Sequence, residues 1–240
     1  MKFPLLTAAL MLLAPMSALA AAPAPSPVGT WEVNLAGADQ GIAYVTFEED
    51  QDFTAYGVSA KSFGVFSISG TWEMDEKGRL SAVYEEWING EDVTGTISGK
   101  VTAKAISGKI SASNGNFSFK GMREKVTQDL SGVWNGTVAV GKKTRLAEVY
   151  QISGSELPHI YEVTGVGVSP TGGEFQIAGV AIAGSKGKVR IFVQSEYPWT
   201  ETPGLAHLFG TVNVAKKKGA LKGFESGQVV KVGLKRQSAE

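Results

Sequence analysis

Few side chains in this chain are of types that do chemistry, and their spacing fits none of the usual arrangements. The 240 residues include two histidines, His159 and His207, and no cysteine. Two imidazoles bind a metal or haem only if the fold brings their strands together, and His207 alternates outward beside Leu208. Glu196 with either histidine would make an acid–base pair, but no spacing compels it. Glu85 and Glu86 resemble a carboxylate pair, yet neighbours on a strand point to opposite faces and cannot share one site. No Gly-x-Ser-x-Gly, phosphate loop or His-Glu-x-x-His occurs. Without cysteine there is no disulfide, thiolate metal site, nucleophilic thiol or lipidated N-terminal cysteine. These residues point to a non-enzymatic protein with no catalytic residue, no metal and no cofactor.

What remains is recognition by apolar and aromatic side chains, and the elements that would position them come twice. Gly29, Thr30 and Trp31 open a run that closes at Met122 and Arg123; Gly132, Val133 and Trp134 open another that closes at Arg236. In between, Tyr56 to Ser59 answers Val166 to Ser169, and Ser67 to Gly70 answers Gln176 to Gly179. A duplication of this length is one fold built twice. Apolar and polar residues alternate with period two, clearest from Phe66 to Met74, and turn signals recur every eight to twelve residues. They include Asp75 to Gly78, Asn89-Gly90, Thr171 to Gly173 and Gly184 to Gly187. Eight short strands per unit, joined in order, close most readily on themselves, because closure removes the exposed edges. The expected fold is all-β: two tandem eight-stranded antiparallel up-and-down barrels, over residues 28–126 and 127–240.

The ends of each unit resemble those of the calycin group, which comprises lipocalins, fatty-acid-binding proteins and avidins. The resemblance rests on Gly29, Trp31 and Arg123 in the first unit and on Gly132, Trp134 and Arg236 in the second. It implies that each indole plugs one end of its barrel and that the arginine packs across it. Lys235 competes with Arg236 for that place. Arg236 is preferred because it shares a strand face with Val230, Val232 and Leu234.

If the Trp31 parity faces inward, Phe66, Ile68, Trp72, Met74, Leu80, Ala82 and Tyr84 line the first barrel. Phe175, Ile177, Ala181, Val189, Ile191 and Val193 then line the second. An eight-stranded barrel is just wide enough to be filled by its own side chains or to hold one small ligand. Gly70, Gly99, Gly179 and Gly210 would either leave room in the lumen or mark close strand crossings. The loop from Glu196 to Gly204 carries Tyr197, Trp199 and two prolines, which favours the second unit as the functional mouth. The candidate binding residues are therefore Phe66, Trp72, Tyr84, Phe175, Tyr197 and Trp199. The expected function is carriage of a small apolar ligand. The alternatives are an interaction module with filled barrels that meets a protein partner, and a single sixteen-stranded outer-membrane barrel. The C-terminal Ser238, Ala239 and Glu240 speak against the last.

Lys2, the apolar run from Leu5 to Leu13 and the small residues Ala18 and Ala20 read as a secretory signal peptide over residues 1–20. An Ala/Pro leader follows over 21–27. The expected location is periplasmic or extracellular, with no membrane span in the mature chain. Residues 21–126 carry 14 acidic and 9 basic side chains, and residues 127–240 carry 9 acidic and 13 basic. This asymmetry suits an acidic barrel docking on a basic one as well as it suits drift after duplication. Lys216, Lys217 and Lys218 lie at a turn without interleaved aromatics, so no nucleic-acid partner is expected.

Overall fold

Period-two patterning becomes sixteen strands, each repeat closing its own ring. The computed structural model describes residues 25–60, 64–88, 91–125, 127–141, 144–198 and 200–238. The signal-peptide segment, most of the leader, the Asn89-Gly90 turn and Trp199 lie outside them. The first repeat runs β1 (Gly29–Gly37), β2 (Gly41–Phe47), β3 (Asp52–Ser59), β4 (Gly64–Met74), β5 (Arg79–Ile88), β6 (Glu91–Val101), β7 (Ala105–Ala112) and β8 (Gly115–Arg123). The second runs β9 (Gly132–Val140), β10 (Thr144–Gly154), β11 (Ile160–Val168), β12 (Glu174–Ala183), β13 (Lys188–Glu196), β14 (Gly204–Asn213), β15 (Lys218–Glu225) and β16 (Gln228–Arg236). Every neighbouring pair is antiparallel. β1 pairs with both β2 and β8, and β9 with both β10 and β16. A single sixteen-stranded barrel is thereby overturned, because strand pairing closes each ring at eight.

One end of each barrel is plugged in the same way. The fully buried Trp31 donates Nε1–H to the Pro27 carbonyl oxygen at 2.6 Å, and Trp134 does the same to Leu130 at 2.9 Å. Arg123 lies 4.0 Å over the Trp31 ring, and Arg236 lies 5.7 Å over that of Trp134. The guanidinium groups also tie down the entering chain, Arg123 to the Ser26 carbonyl oxygen at 2.7 Å and Arg236 to that of Ser131. Gly29 and Gly132 have φ of +101° and +125°, and a Cβ at either would stand 3.0 Å from a guanidinium nitrogen. Register gives Arg236 the plug position: it faces Trp134 as Arg123 faces Trp31, and Lys235 faces Asn135.

The strand glycines mark close approaches rather than lumen space. A Cβ on Gly70, Gly179 or Gly210 would come within 2.0–2.1 Å of a carbonyl oxygen on the adjoining strand, and one on Gly99 within 2.7 Å.

The second barrel is filled. Leu130, Trp134, Val163, Ile177, Ile191, Leu208 and Leu234 belong to one continuous buried cluster that also takes in Tyr150 and Phe175. Tyr150 lays its ring against Gly136 of β9, where an added Cβ would come within 2.7 Å, and hydrogen-bonds through its hydroxyl to Glu148, two residues earlier on the same face. Burial pushes the Glu148 carboxyl up to about 7, with the Tyr150 hydrogen bond opposing and Glu225 adding to the rise.

The two barrels dock through outer strand faces. Ile42, Tyr44 and Val58 of the first form a buried cluster with Ile160, Ile182 and Phe192 of the second. Tyr44 donates its hydroxyl to the Ala183 carbonyl oxygen at 2.7 Å. Burial, with the Glu32 carboxylate second, pushes that phenol far above its usual range, so it stays a donor. Glu32, 1% exposed, accepts the Ser185 backbone N–H at 2.6 Å from the turn before β13. His159 packs its ring 4.3 Å from that of Tyr44 and bonds Glu124 through Nε2 at 2.6 Å. The acidic and basic barrels do meet, but the centre of the joint is apolar and its charges sit to the sides.

Two expectations follow. Tyr44→Phe leaves the buried Ala183 oxygen without its donor, and urea unfolding should register a loss of about 1–2 kcal/mol. Glu148 has a folded-state value of about 7 against the usual 4.5, so the folded chain holds the extra proton between those limits. Stability should therefore be greatest below the lower value, fall as pH rises through the window and stay low above it. The contribution is on the order of 2–3 kcal/mol. Glu148→Gln should flatten that part of the profile when urea midpoints are compared across the same range.

Candidate functional site

The first barrel is hollow. Above the Trp31 plug lies a cavity of about 270 Å³, just below the ~300–1,000 Å³ usual for small-molecule sites. Its floor is aromatic. The Phe47 and Phe53 rings lie 5.7 Å apart, and Trp72 meets Phe47 edge-on at 5.9 Å. The Trp72 Nε1–H is shared between the Glu48 and Asp52 carbonyl oxygens at 3.2 and 3.1 Å, which fixes the ring beneath the cavity. All eight strands contribute wall residues, among them Val33, Val45, Ala55, Ile68, Tyr84, Ile97, Ile110 and Phe119. The mouth, at the end opposite the plug, is polar: Asp39, Ser59, Glu86 and Asn114 line it.

Pairing register shows which lumen residues differ between the hollow barrel and its filled twin. With Trp31 and Trp134 in equivalent places, Val45 stands where Tyr150 stands, since each faces its tryptophan across the first strand pair. Ala43 then corresponds to Glu148, two residues earlier on each strand. Further round the ring, Gly95 pairs with Ala112 as Ala206 pairs with Glu225, so Ala112 takes the place of the second carboxylate. The first barrel thus has Ala, Val and Ala where the second has Glu, Tyr and Glu. In the other direction, the first barrel has Tyr84 where the second has Val193, and the Tyr84 ring lies over Gly95, where an added Cβ would come within 2.3 Å.

Glu86 is the unusual member of the wall. It follows Tyr84 on the same strand face, and the equivalent place in the second barrel belongs to Ser195. Burial pushes its carboxyl up to about 7, although the Ser67 backbone N–H works in the opposite direction. Burial and, second, Glu86 push the Tyr84 phenol up to about 12, so it too is a permanent donor near neutral pH.

Of the residues singled out in the sequence, the structure brings Phe66 and Tyr84 to the cavity wall and Trp72 under its floor. Phe175 and Tyr197 lie in the other barrel, apart from this cavity. Their rings are 4.7 Å apart, and Tyr197 bonds Glu225 across the mouth. A Cβ on Gly167 would come within 2.0 Å of the Phe175 ring, so that side chain is packed against bare backbone. The cavity lies in the first repeat, whereas the second repeat, expected to hold the functional mouth, packs its loop residue Tyr197 on Phe175. Trp199 falls outside the described residues. The histidines lie apart and outside both lumens, His159 in the joint and His207 stacked on Phe192 at 4.3 Å. Among the described residues no group of three or more His, Cys, Asp and Glu side chains is placed to hold a metal ion.

Sequence reasoning passed over Glu86. The parity of Leu80, Ala82 and Tyr84 places it inside, a signal that reading Glu85 and Glu86 as a pair does not bring out.

No protein-family model matches the chain, and no curated protein matches it. Among solved structures, the chain is similar to a redesigned β-barrel, mFAP1, determined bound to DFHBI. The two share 16% identity at a TM-score of 0.38, over 45% of this chain and 94% of that one.

Proposed function

We propose that this is an exported, non-enzymatic binding protein whose first barrel carries a small apolar ligand, with the calycin-like plug sealing the far end. The observation that carries the reading is the cavity of about 270 Å³, walled by aliphatic and aromatic side chains and open at a polar mouth. Burying apolar ligand surface there would contribute roughly 25 cal/mol per Å². The walls are held by closed backbone pairing all round, so little ordering is needed on binding. The second barrel, solid to its mouth, serves as the rigid body on which the carrier is mounted. Export rests on the signal-like first twenty residues.

Native mass spectrometry of the protein purified without detergent from the exported fraction tests both parts. The chain should begin at Ala21 and bind one equivalent of an apolar ligand that leaves on denaturation. Ala55→Phe, which puts a ring into the middle of the cavity, should abolish binding and leave the second barrel folded. A ligand-free mass that persists after incubation with a host lipid extract would count against carriage.

A protein-interaction role has one observation of its own. On the outside of the second barrel Phe224 and Val229, 57% and 51% exposed, face each other across β15 and β16, and Leu205 lies diagonally beside them. If this strip meets a partner, Phe224→Lys should release that partner without touching ligand binding in the first barrel.

A further inference from the structure

We propose that the hollow barrel selects an apolar amine, taking a hydrophobic body into the lumen and pairing its protonated amino group with Glu86 just inside the mouth. The proposal rests on the reading of the first barrel as a carrier and adds the class of ligand carried.

Charge on the cavity lining has one sign. Glu86 and Asp39 line it, and no lysine, arginine or histidine does among the described residues. Asp39 at the rim is under the influence of Arg190 from the second barrel, which draws its field outward. Among the described residues no cation acts on Glu86 in this way: what acts on it is burial and the Ser67 N–H. Around it, β6 presents Val93, and Tyr84 and Asp39 are the titratable groups that share the cavity. A carboxylate in such a place is costly to ionise until a cation arrives, and its raised value of about 7 expresses that cost. An ammonium group supplies the missing charge and a hydrogen bond together. The wall also carries Phe66, Phe117 and Tyr84, whose ring faces would attract the same cation. A fatty acid would instead bring a second anion beside Glu86, and like charges in an apolar cavity repel strongly. The solid barrel sharpens the contrast. Its counterpart of Glu86 is the neutral Ser195, and its own mouth carboxylates are engaged by Tyr150 and Tyr197.

Decylamine, decanol and decanoate keep one hydrophobic body and change only the head. Isothermal titration of the full chain with each, about 1.5 pH units above the value of Glu86, should rank amine over alcohol over acid. The amine should lead the alcohol by at least ~10-fold. Glu86→Gln should bring amine and alcohol within ~2-fold of one another while leaving alcohol affinity unchanged. In the unmodified protein, amine affinity should rise with pH through the Glu86 transition and level off above it, a readout that holds even if the variant fails to fold. Equal affinities for amine and alcohol, or tighter binding of decanoate, would overturn the amine assignment and leave the carrier reading standing. Failure of all three probes to bind would remove the carrier reading and this proposal with it.

Discussion

The lumen of a closed eight-stranded barrel is so narrow that one layer of side chains decides whether it is solid. Once strand number and pairing are set, its width is set too. Both barrels obey the same closure, carry the same tryptophan and arginine plug, and pair their strands in the same order. Among the lumen positions that differ, Ala43, Val45 and Ala112 stand where the second barrel has Glu148, Tyr150 and Glu225. The filled lumen is not a simple hydrocarbon core, because its two carboxylates and two tyrosines bond to one another in place of water.

The joint between the barrels uses the same strands in a second way. On β2, Ala43 and Val45 look into the lumen while Ile42 and Tyr44 look into the other barrel. Residues 180–183 of β12 and 191–193 of β13 are likewise apolar on both faces. Such a strand buries both sides, as strands of a parallel sheet do, although every pairing here is antiparallel. The buried polar groups of the joint each have a partner: Tyr44 has the Ala183 oxygen, and Glu32 has the Ser185 N–H.

The barrel fold was legible because period-two alternation depends on the chain alone. The parity of Trp31 carried round the ring correctly to Phe66, Ile68 and Tyr84, and the shared face of Val230 to Leu234 picked out Arg236 over Lys235. Whether a lumen is hollow depends on which side chains come level across strands, and turn lengths must be known before Tyr150 can be set opposite Gly165 or Val45 opposite Ala55. That information is not local, so the loop aromatics Tyr197 and Trp199 point to the second barrel while the cavity lies in the first. The joint did leave a local trace. Ile42 to Val45, Val180 to Ala183 and Ile191 to Val193 break the alternation with consecutive apolar residues, which is how a strand buried on both faces reads. His159 gave no such trace, since its place beside Tyr44 follows from docking.

The turn from Gly184 to Gly187 pins Glu32 from outside, and with the Tyr44 bond it splints β1 to β3 against the second barrel. The outer residues of β7 turn to water, whereas Glu124, directly after β8, is tied to His159 of the second barrel. The second barrel therefore braces the first at both ends of its chain, where the ring closes between β1 and β8.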